Sequence, residues 1–164
     1  MSDKICGFSP VFDEHSRILI LGSFPSVQSR KVDFYYGNKQ NRFWPMLGRY
    51  FGESVGESGE TRRAFVLRQG VALWDIVVAC HIRGSSDASI RDSELADLDI
   101  VLRAAPVERI LLNGATAYNL FCERYAAIGI PYQRMPSTSP ANPRYREEEW
   151  FAALDAVFAR GTSE

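Results

Sequence analysis

The sequence predicts an α/β fold, a three-layer α/β/α sandwich around a four-stranded parallel sheet, built as a single domain over residues 1–164. Short apolar segments that end in glycine or a polar residue alternate with segments whose apolar residues recur at helical spacing. Strands that alternate with helices form a parallel sheet that is covered on both faces. The composition, 46% hydrophobic and 24% charged, is that of a globular domain large enough to bury a core.

Four apolar segments are the predicted strands, and each is short enough to be buried on both faces of a sheet. They are RILILGS at residues 17–23, VALWDIVVAC at 71–80, VERILLNG at 107–114 and PYQRM at 131–135. The segments between them, and one after the last, show helical spacing or helix end signals. They are NRFWPMLGRYFG at 41–52, TRRAFVLRQG at 61–70, residues 94–104, ATAYNLFCERYA at 115–126 and REEEWFAALDAVFAR at 146–160.

Local signals set the expected ends and the buried side of two helices. Thr61 is the expected cap of the helix at 61–70, and Gly70 is its stop. The polar, Gly- and Ser-rich stretch at 53–60 predicts a surface loop before it. In the last helix the large apolar residues share one side, which we expect to face the core. They are Trp150, Phe151, Leu154, Val157 and Phe158.

Composition argues against several classes of protein. Three widely spaced cysteines without a CxxC pair favour reduced thiols in the cytoplasm over a disulfide framework. We expect no metal, no iron–sulfur cluster and no other cofactor. No apolar run approaches the length of a membrane span, and no signal-peptide core is present, so the sequence predicts a cytoplasmic monomer without membrane contact. The net charge of −1 argues against strong nonspecific binding to duplex nucleic acid, although an enzyme that contacts few phosphates can be neutral overall.

Small, polar or amide-bearing segments follow all four predicted strands. They are GSFPS at 22–26, CHIRGSSDAS at 80–89, NGATA at 113–117 and PSTSPAN at 136–142. Ligands of such sheets bind at the carboxyl ends of the strands, so these segments predict one site along one edge. Taken alone, GSFPS is an ordinary strand-to-loop turn. Its exposed N–H groups can also bind an anion or a developing oxyanion.

The segment DFYYGNKQNRFW, at 33–44, is rich in aromatic and amide side chains. In an extended segment Tyr35 and Tyr36 point in opposite directions, so one can pack while the other offers a ring face to a planar ligand. Asn38 and Asn41 have an alternative interpretation as turn and helix N-cap residues. The aromatic pair that follows Arg42 is expected in the core.

The segment MPSTSPANPRY, at 135–145, predicts a rigid loop with many neutral hydrogen-bond groups. Hydroxyls and backbone N–H groups of this kind can hold phosphates without much positive charge. Three arginines, Arg134, Arg144 and Arg146, form a local basic cluster around it. The alternative is an ordinary surface loop.

In this order the segments GSFPS, YYGNKQNRFW, LWD, LLNG and PSTSPAN resemble the uracil-DNA glycosylase superfamily, over residues 18–145. Within it the sequence is most similar to the hypoxanthine-DNA (deoxyinosine) glycosylase branch. The mismatch-specific uracil glycosylases are similar in the first segment, where an aromatic residue and four others precede Asn-Arg-Phe-Trp. The resemblance implies the same sandwich fold and a nucleotide flipped out of DNA into a pocket at the strand ends.

The resemblance also implies roles for individual residues. Tyr36 matches the aromatic residue that stacks on the flipped base, and Asp75 falls near the position that reads the base edge. The alternative interpretation is that Asp75 caps a turn. The loop at 137–142 matches the DNA-facing motif. The candidate DNA-binding residues are Ser26, Ser137, Thr138, Ser139, Asn142 and Arg144.

Two departures from the superfamily pattern shift the expected chemistry. Phe24 stands where many relatives have the Asp or Asn that positions water, and Met135 stands where many have a histidine. In the deoxyinosine branch the catalytic burden lies on a downstream asparagine, which Asn41 matches. The N–H groups of Ser23 and Phe24 are the candidate donors to the departing base. The leucine wedge of some branches has no clear counterpart, and Arg144 and Tyr145 are the two candidates for its place.

The predicted function is therefore a monofunctional DNA repair glycosylase that hydrolyses the N-glycosidic bond of deaminated bases, chiefly hypoxanthine, with such DNA as its partner. Two alternatives stay open at this point. One is a uracil or mismatch-specific glycosylase on the same fold. The other is a non-catalytic nucleic-acid-binding module, which Phe24 favours, whereas Tyr36 and Asn41 favour the enzyme.

Overall fold

The computed structural model describes residues 3–32, 34–82 and 91–159, which form two sheets and six helices. The strands are β1 (Asp3–Cys6), β2 (Ile18–Gly22), β3 (Val71–Asp75), β4 (Val77–Ile82), β5 (Arg91–Leu95), β6 (Arg109–Asn113) and β7 (Tyr132–Met135). The helices are α1 (Val27–Val32), α2 (Phe43–Phe51), α3 (Gly59–Gln69), α4 (Asp99–Leu102), α5 (Ala115–Tyr125) and α6 (Glu147–Phe158). No helix of the described residues is both long and apolar enough to cross a membrane.

The larger sheet is parallel, has the strand order β3-β2-β6-β7 and is flanked by helices. The predicted fold class is confirmed. All residues of β2 and β3 are buried, as expected of strands covered on both faces. The register aligns the carboxyl ends of the strands, with Gly22 beside Asp75 and Asn113 beside Met135. The last residues of the four strands therefore lie along the same edge of the sheet.

The smaller sheet was not predicted. It is antiparallel, with the order β1-β4-β5. The segment at 71–80, predicted as one strand, is two strands in different sheets, because the chain leaves the parallel sheet at Ile76. The N–H groups of Ile76 and Val77 donate to the carbonyl groups of Gly22 (2.8 Å) and Ser23 (3.0 Å). This crossing fixes the end of β3 against the turn that follows β2.

Two further predictions about elements are corrected. The prediction of a single helix at 94–104 is wrong. The first part of this segment belongs to β5, which pairs with β4, and only the short helix α4 follows. The cap of α3 is Ser58, whose hydroxyl accepts from the Thr61 N–H at 3.0 Å while Thr61 bonds back to Ser58. Gly70 ends α3 as expected, with φ of 80°.

The core lies between the parallel sheet and its helices. In α6, Trp150, Leu154 and Val157 are buried as predicted, and the other two aromatic residues of that side pack against the core in part. Phe43 and Trp44 of α2 are also buried, which confirms their expected place in the core.

Candidate active site

One cavity of about 1060 Å³ opens along the carboxyl edge of the parallel sheet. It is lined by segments that follow β2, β6 and β7, as the positions of three polar segments predicted, and by Asp75, the last residue of β3. Of the predicted segment at 80–89, residues 80–82 belong to β4, and residues 83–89 lie outside the described part of the chain. The cavity brings together every candidate residue. They are Ser23, Phe24, Ser26, Tyr36, Asn41, Asp75, Ser137, Thr138, Ser139, Asn142 and Arg144.

We call Gly22, Tyr36 and Asp75 the floor of the cavity. Two polar atoms of the floor have no hydrogen-bond partner among the described residues. The Tyr36 hydroxyl and the Asp75 Oδ2 are buried, and neither makes a hydrogen bond to any residue that the structure describes. Both side chains crowd Gly22, where a Cβ would lie 2.6 Å from the Asp75 Oδ1 and 3.0 Å from the Tyr36 hydroxyl. The close approach therefore requires glycine at the end of β2.

Burial changes the acidity of both floor groups. It raises the pKa of Asp75 from 3.8 to about 7, because a charged carboxylate loses its hydration there. Burial is also the main reason why the pKa of Tyr36 is raised above its usual value; the nearby Asp75 raises it further, and the Asn113 side chain, which is close to the hydroxyl but outside hydrogen-bond geometry, acts in the opposite direction. A carboxyl group that titrates near neutrality inside a cleft is typical of functional sites.

Tyr35 and Tyr36 both line the cavity but differ in burial, and the segment that carries them is a turn rather than the extended segment that was expected. Tyr35 is buried, and its hydroxyl donates to the Ser9 carbonyl group at 2.8 Å. Tyr36 lines the cavity, and its ring lies 4.1 Å from the Phe43 ring. Among the described residues it alone, apart from glycines, has a positive φ, 53°. Such a backbone is strained for a bulky residue, and strain of this kind occurs where structure around it fixes a functional side chain.

Asn41 lines the cavity just before the start of α2. It also makes a local hydrogen bond of the kind expected from its alternative interpretation as a turn or helix-cap residue. Its Oδ1 accepts from the Phe43 N–H at 2.9 Å, although the helix cap position belongs to Arg42. The Asn41 N–H donates to the Asn38 carbonyl group at 2.9 Å. Asn38 is a turn residue, since its Oδ1 accepts from the Gln40 N–H. The carboxamide of Asn41 therefore has a fixed direction.

The hydroxyl-rich loop, residues 136–145, is the rim of the cavity, and its polar groups bond to one another. The Ser137 hydroxyl accepts from the Ser139 N–H at 3.1 Å, and the Asn142 Nδ2 donates to the Ser137 carbonyl group at 2.9 Å. Thr138, expected to contact DNA, is 1% exposed. Its hydroxyl and N–H form a reciprocal pair with the Asn113 side chain, both bonds at 3.1 Å. Thr138 therefore holds the loop to β6 from inside.

Two residues of this site were missed by sequence reasoning. Asn113 is the last residue of β6, and the signal that could have found it was its place at the same strand edge as Asp75. Arg42 reaches into the hydroxyl-rich loop from the start of α2. An arginine before an aromatic helix resembles any surface arginine, so the sequence offered no comparable signal for it.

The chain matches the model of the family described as the uracil DNA glycosylase superfamily over residues 9–158. The chain belongs to this superfamily. It is 33% identical to two proteins named hypoxanthine DNA glycosylase. For that of Methanosarcina acetivorans the match covers 93% of this chain and 96% of the relative, and for that of Methanosarcina barkeri it covers 90% and 96%. The resemblance inferred from the motifs is confirmed.

A solved structure gives the same assignment of the fold. The solution NMR structure of a Methanosarcina acetivorans protein, proposed to be a uracil DNA glycosylase, superposes with a TM-score of 0.82 at 33% identity. The match covers 94% of this chain and 98% of the other. Phe24, which the resemblance places where many relatives have an Asp or Asn, lies at the cavity wall with the Arg30 Cζ 5.9 Å from its ring centre. No carboxylate occupies that position.

Proposed function

We propose that this chain is a monofunctional DNA glycosylase that removes deaminated bases, hypoxanthine above all, and leaves an abasic site. The observation that carries the proposal is the presence of Tyr36, Asn41 and Asp75 in one cavity at the strand ends. Two relatives named hypoxanthine DNA glycosylase, each 33% identical over at least 90% of this chain, support the choice of base.

Tyr36 receives the flipped base. Its ring is backed by the Phe43 ring at 4.1 Å, so the face that it offers to the cavity is firmly supported. Stacking of a base on an aromatic side chain contributes about 1–3 kcal/mol to binding. This energy offsets part of the cost of taking a base out of the duplex.

Asn41 orients the attacking water. A carboxamide is too weak a base to accept a proton, so it acts by position alone. Its Oδ1 has two lone pairs, of which the Phe43 N–H occupies one, and the second accepts a hydrogen bond from water. The water oxygen bonds to C1′ of an oxocarbenium-like sugar while the C1′–N9 bond breaks and its electron pair leaves with the base. One water proton is transferred to the departing base, and the other stays in the new sugar hydroxyl.

The base is distinguished by its hydrogen-bonding edge. Hypoxanthine has an N1–H donor beside an O6 acceptor, whereas adenine has an acceptor and an amino donor. The Asp75 carboxylate accepts from N1–H, and the N–H groups of Ser23 and Phe24 donate to the oxygen of the departing base. One such donor is worth about 2.7–4 kcal/mol in related oxyanion sites. Adenine would place its amino group against a donor, which disfavours it strongly.

The rim contacts the DNA backbone. Ser26, Ser139 and Arg144 lie at the cavity mouth, and the side chain of Arg144 is exposed. The ring of Tyr145 is covered by the Arg42 guanidinium at 4.4 Å. Of the two residues considered for the wedge, Arg144 is therefore the one that is free to enter the duplex.

The decisive experiment incubates the purified protein with duplexes that carry a single inosine, uracil or xanthine, followed by alkali, which cleaves abasic sites. We expect cleavage at inosine after alkali and none before it. Cleavage at uracil alone would favour the uracil-specific alternative, whose substrate shares the N–H and carbonyl edge. No cleavage at any of the three bases would favour the non-catalytic module.

A further inference from the structure

The guanidinium of Arg42 is enclosed by the hydroxyl-rich loop. Its Nη2 donates to the carbonyl groups of Ser139 and Asn142, the second at 2.8 Å, and its Nε lies 3.5 Å from that of Thr138. Its Cζ lies 4.4 Å from the centre of the Tyr145 ring. The Arg42 side chain, at the cap position of α2, thus contacts three carbonyl groups and an aromatic ring of a loop about a hundred residues further along the chain.

The loop needs donors from outside because it has few of its own. Three of its ten residues are prolines, which lack an N–H group. Two of the three carbonyl groups that face Arg42, those of Ser139 and Asn142, directly precede Pro140 and Pro143. The planar fork of an arginine presents several donors in fixed directions, which suits a set of convergent carbonyl groups.

The charge of Arg42 is balanced by these carbonyl dipoles rather than by an acid. Among the described residues no carboxylate lies within 4.0 Å of its nitrogen atoms. The nearby Glu147 is paired with Arg49 instead, at 2.9 Å. A positive charge therefore remains beneath the part of the rim that faces the cavity.

We propose that Arg42 is a positioning residue that holds the hydroxyl-rich loop in the shape required to bind DNA phosphates. This inference rests on the proposed function. The guanidinium acts through the loop and touches neither the flipped base nor the attacking water. The Ser139 hydroxyl then meets the DNA backbone, and the exposed Arg144 enters the duplex, from a preset geometry, which lowers the ordering cost of binding.

The backbone of Arg42 makes a separate contact that its side chain does not control. Its N–H donates to the Thr138 carbonyl group at 3.1 Å, directly after Asn41. Substitution of the side chain leaves this link in place. The expected effect therefore falls on DNA affinity, and the chemical step that depends on Asn41 changes little.

The test uses Arg42→Lys and Arg42→Ala. Lysine keeps the charge but cannot reproduce the planar fork. The probes are a duplex with one tetrahydrofuran abasic-site analogue, for affinity, and a duplex with one inosine, for the single-turnover rate at saturating protein. We expect both variants to raise the Kd at least tenfold while the saturated rate stays within threefold of the wild type. The matched control is Arg49→Ala, which removes the exposed arginine of the same helix and should leave the Kd unchanged.

Several results would overturn the proposal. Wild-type affinity in Arg42→Lys would mean that charge alone suffices. A loss of affinity that only follows the unfolded fraction, measured by circular dichroism at the assay temperature, would reduce Arg42 to a stabilising residue. If the wild type cleaves inosine DNA and the variants bind normally, the positioning role fails and the proposed function stands. If the wild type binds inosine DNA but does not cleave it, and the variants lose affinity, the positioning role stands and the proposed function fails. No DNA binding by the wild type would overturn both.

Discussion

The floor and the rim of the cavity treat polar groups in opposite ways. At the floor, the Tyr36 hydroxyl and the Asp75 Oδ2 are buried without a hydrogen bond to the described part of the chain. At the rim, Thr138 is as deeply buried, yet its hydroxyl and N–H both bond to the Asn113 side chain. An unpartnered buried polar group costs about 1–3 kcal/mol, whereas a satisfied one is neutral or stabilising.

The difference separates a scaffold from a reaction site. Rim groups fix one loop conformation, so their hydrogen bonds contribute to stability. Floor groups are held where a base is expected to arrive, at the expense of stability in the free protein. The comparison predicts that substitutions at the floor and the rim have effects of opposite sign on stability, and that the floor tolerates no added atoms.

Gly22→Ala is the most direct way to break the floor, and we expect the largest effect from it. The new methyl group would lie 2.6 Å from the Asp75 Oδ1 and 3.0 Å from the Tyr36 hydroxyl, so both groups must move. Overpacking of this kind typically costs about 1–3 kcal/mol of stability. We expect excision of inosine to fall at least a hundredfold in a single-turnover assay.

Gly7→Ala is the matched control for this substitution. Its Cβ would lie 3.4 Å from the nearest atom, in ordinary contact, so stability and excision should stay near those of the wild type. If Gly22→Ala excised inosine at the wild-type rate, the floor could accommodate a methyl group. That result would contradict the proposed difference between floor and rim.

Asp75→Asn sharpens the comparison through pH. The pKa of Asp75 is raised by burial from 3.8 to about 7, so the folded protein binds more protons than the unfolded chain between these values. Stability therefore falls as pH rises through this window, by on the order of 4 kcal/mol at about 1.4 kcal/mol per unit. Asparagine does not ionise, so the stability of the variant does not fall with pH for this reason. Urea unfolding at several pH values should show that the free energy of unfolding of Asp75→Asn rises relative to that of the wild type from pH 4 to pH 8.

A constant difference between Asp75→Asn and the wild type across this range would contradict the prediction, because Asp75 would then titrate as it does in the unfolded chain.

Asn41→Ala tests the proposed chemistry above the floor. We expect the single-turnover excision rate to fall at least tenfold, because the carboxamide no longer orients water, while the fold stays intact. The substitution also removes the acceptor of the Phe43 N–H, so a loss of stability of about 1 kcal/mol is expected beside it.

Asn38→Ala separates these two effects. Asn38 makes the same kind of local bond, from the Gln40 N–H to its Oδ1 at 2.8 Å, and has no proposed part in the reaction. Its stability should fall by a similar amount while excision stays within threefold of the wild type. An equal loss of excision in both variants would assign Asn41 to the turn alone.

The parallel sheet and its functional edge could be predicted because burial on both faces leaves a plain pattern. Segments such as β2 are continuous apolar runs, and the residue types that follow them mark the edge. The smaller sheet could not be predicted. The sequences of β1, DKIC, and β5, RDSEL, carry no apolar pattern, and both are strands because they pair with β4.

Within the site, residue types were predictable and their geometry was not. Tyr36 was identified as the cavity-facing tyrosine, yet its left-handed backbone was unexpected because the neighbouring Gly37 is the residue that normally adopts it. Arg42 and Asn113 act through contacts with Thr138, a residue 96 and 25 positions away from them, respectively. Contacts of such range leave no local trace in a single sequence.

The smallest expected effects, from Tyr36→Phe and Thr138→Val, give the most direct test of opposite signs. Phenylalanine keeps the ring and its packing on Phe43 but removes a buried hydroxyl that has no hydrogen-bond partner among the described residues, so unfolding should require about 1 kcal/mol more. Valine keeps the shape of Thr138 but leaves the Asn113 Nδ2 without its acceptor, so stability should fall by about 1 kcal/mol. Urea unfolding at one pH measures both. Equal signs would mean that the floor hydroxyl has a partner in solution, and that floor and rim do not differ in the way their hydrogen bonds indicate.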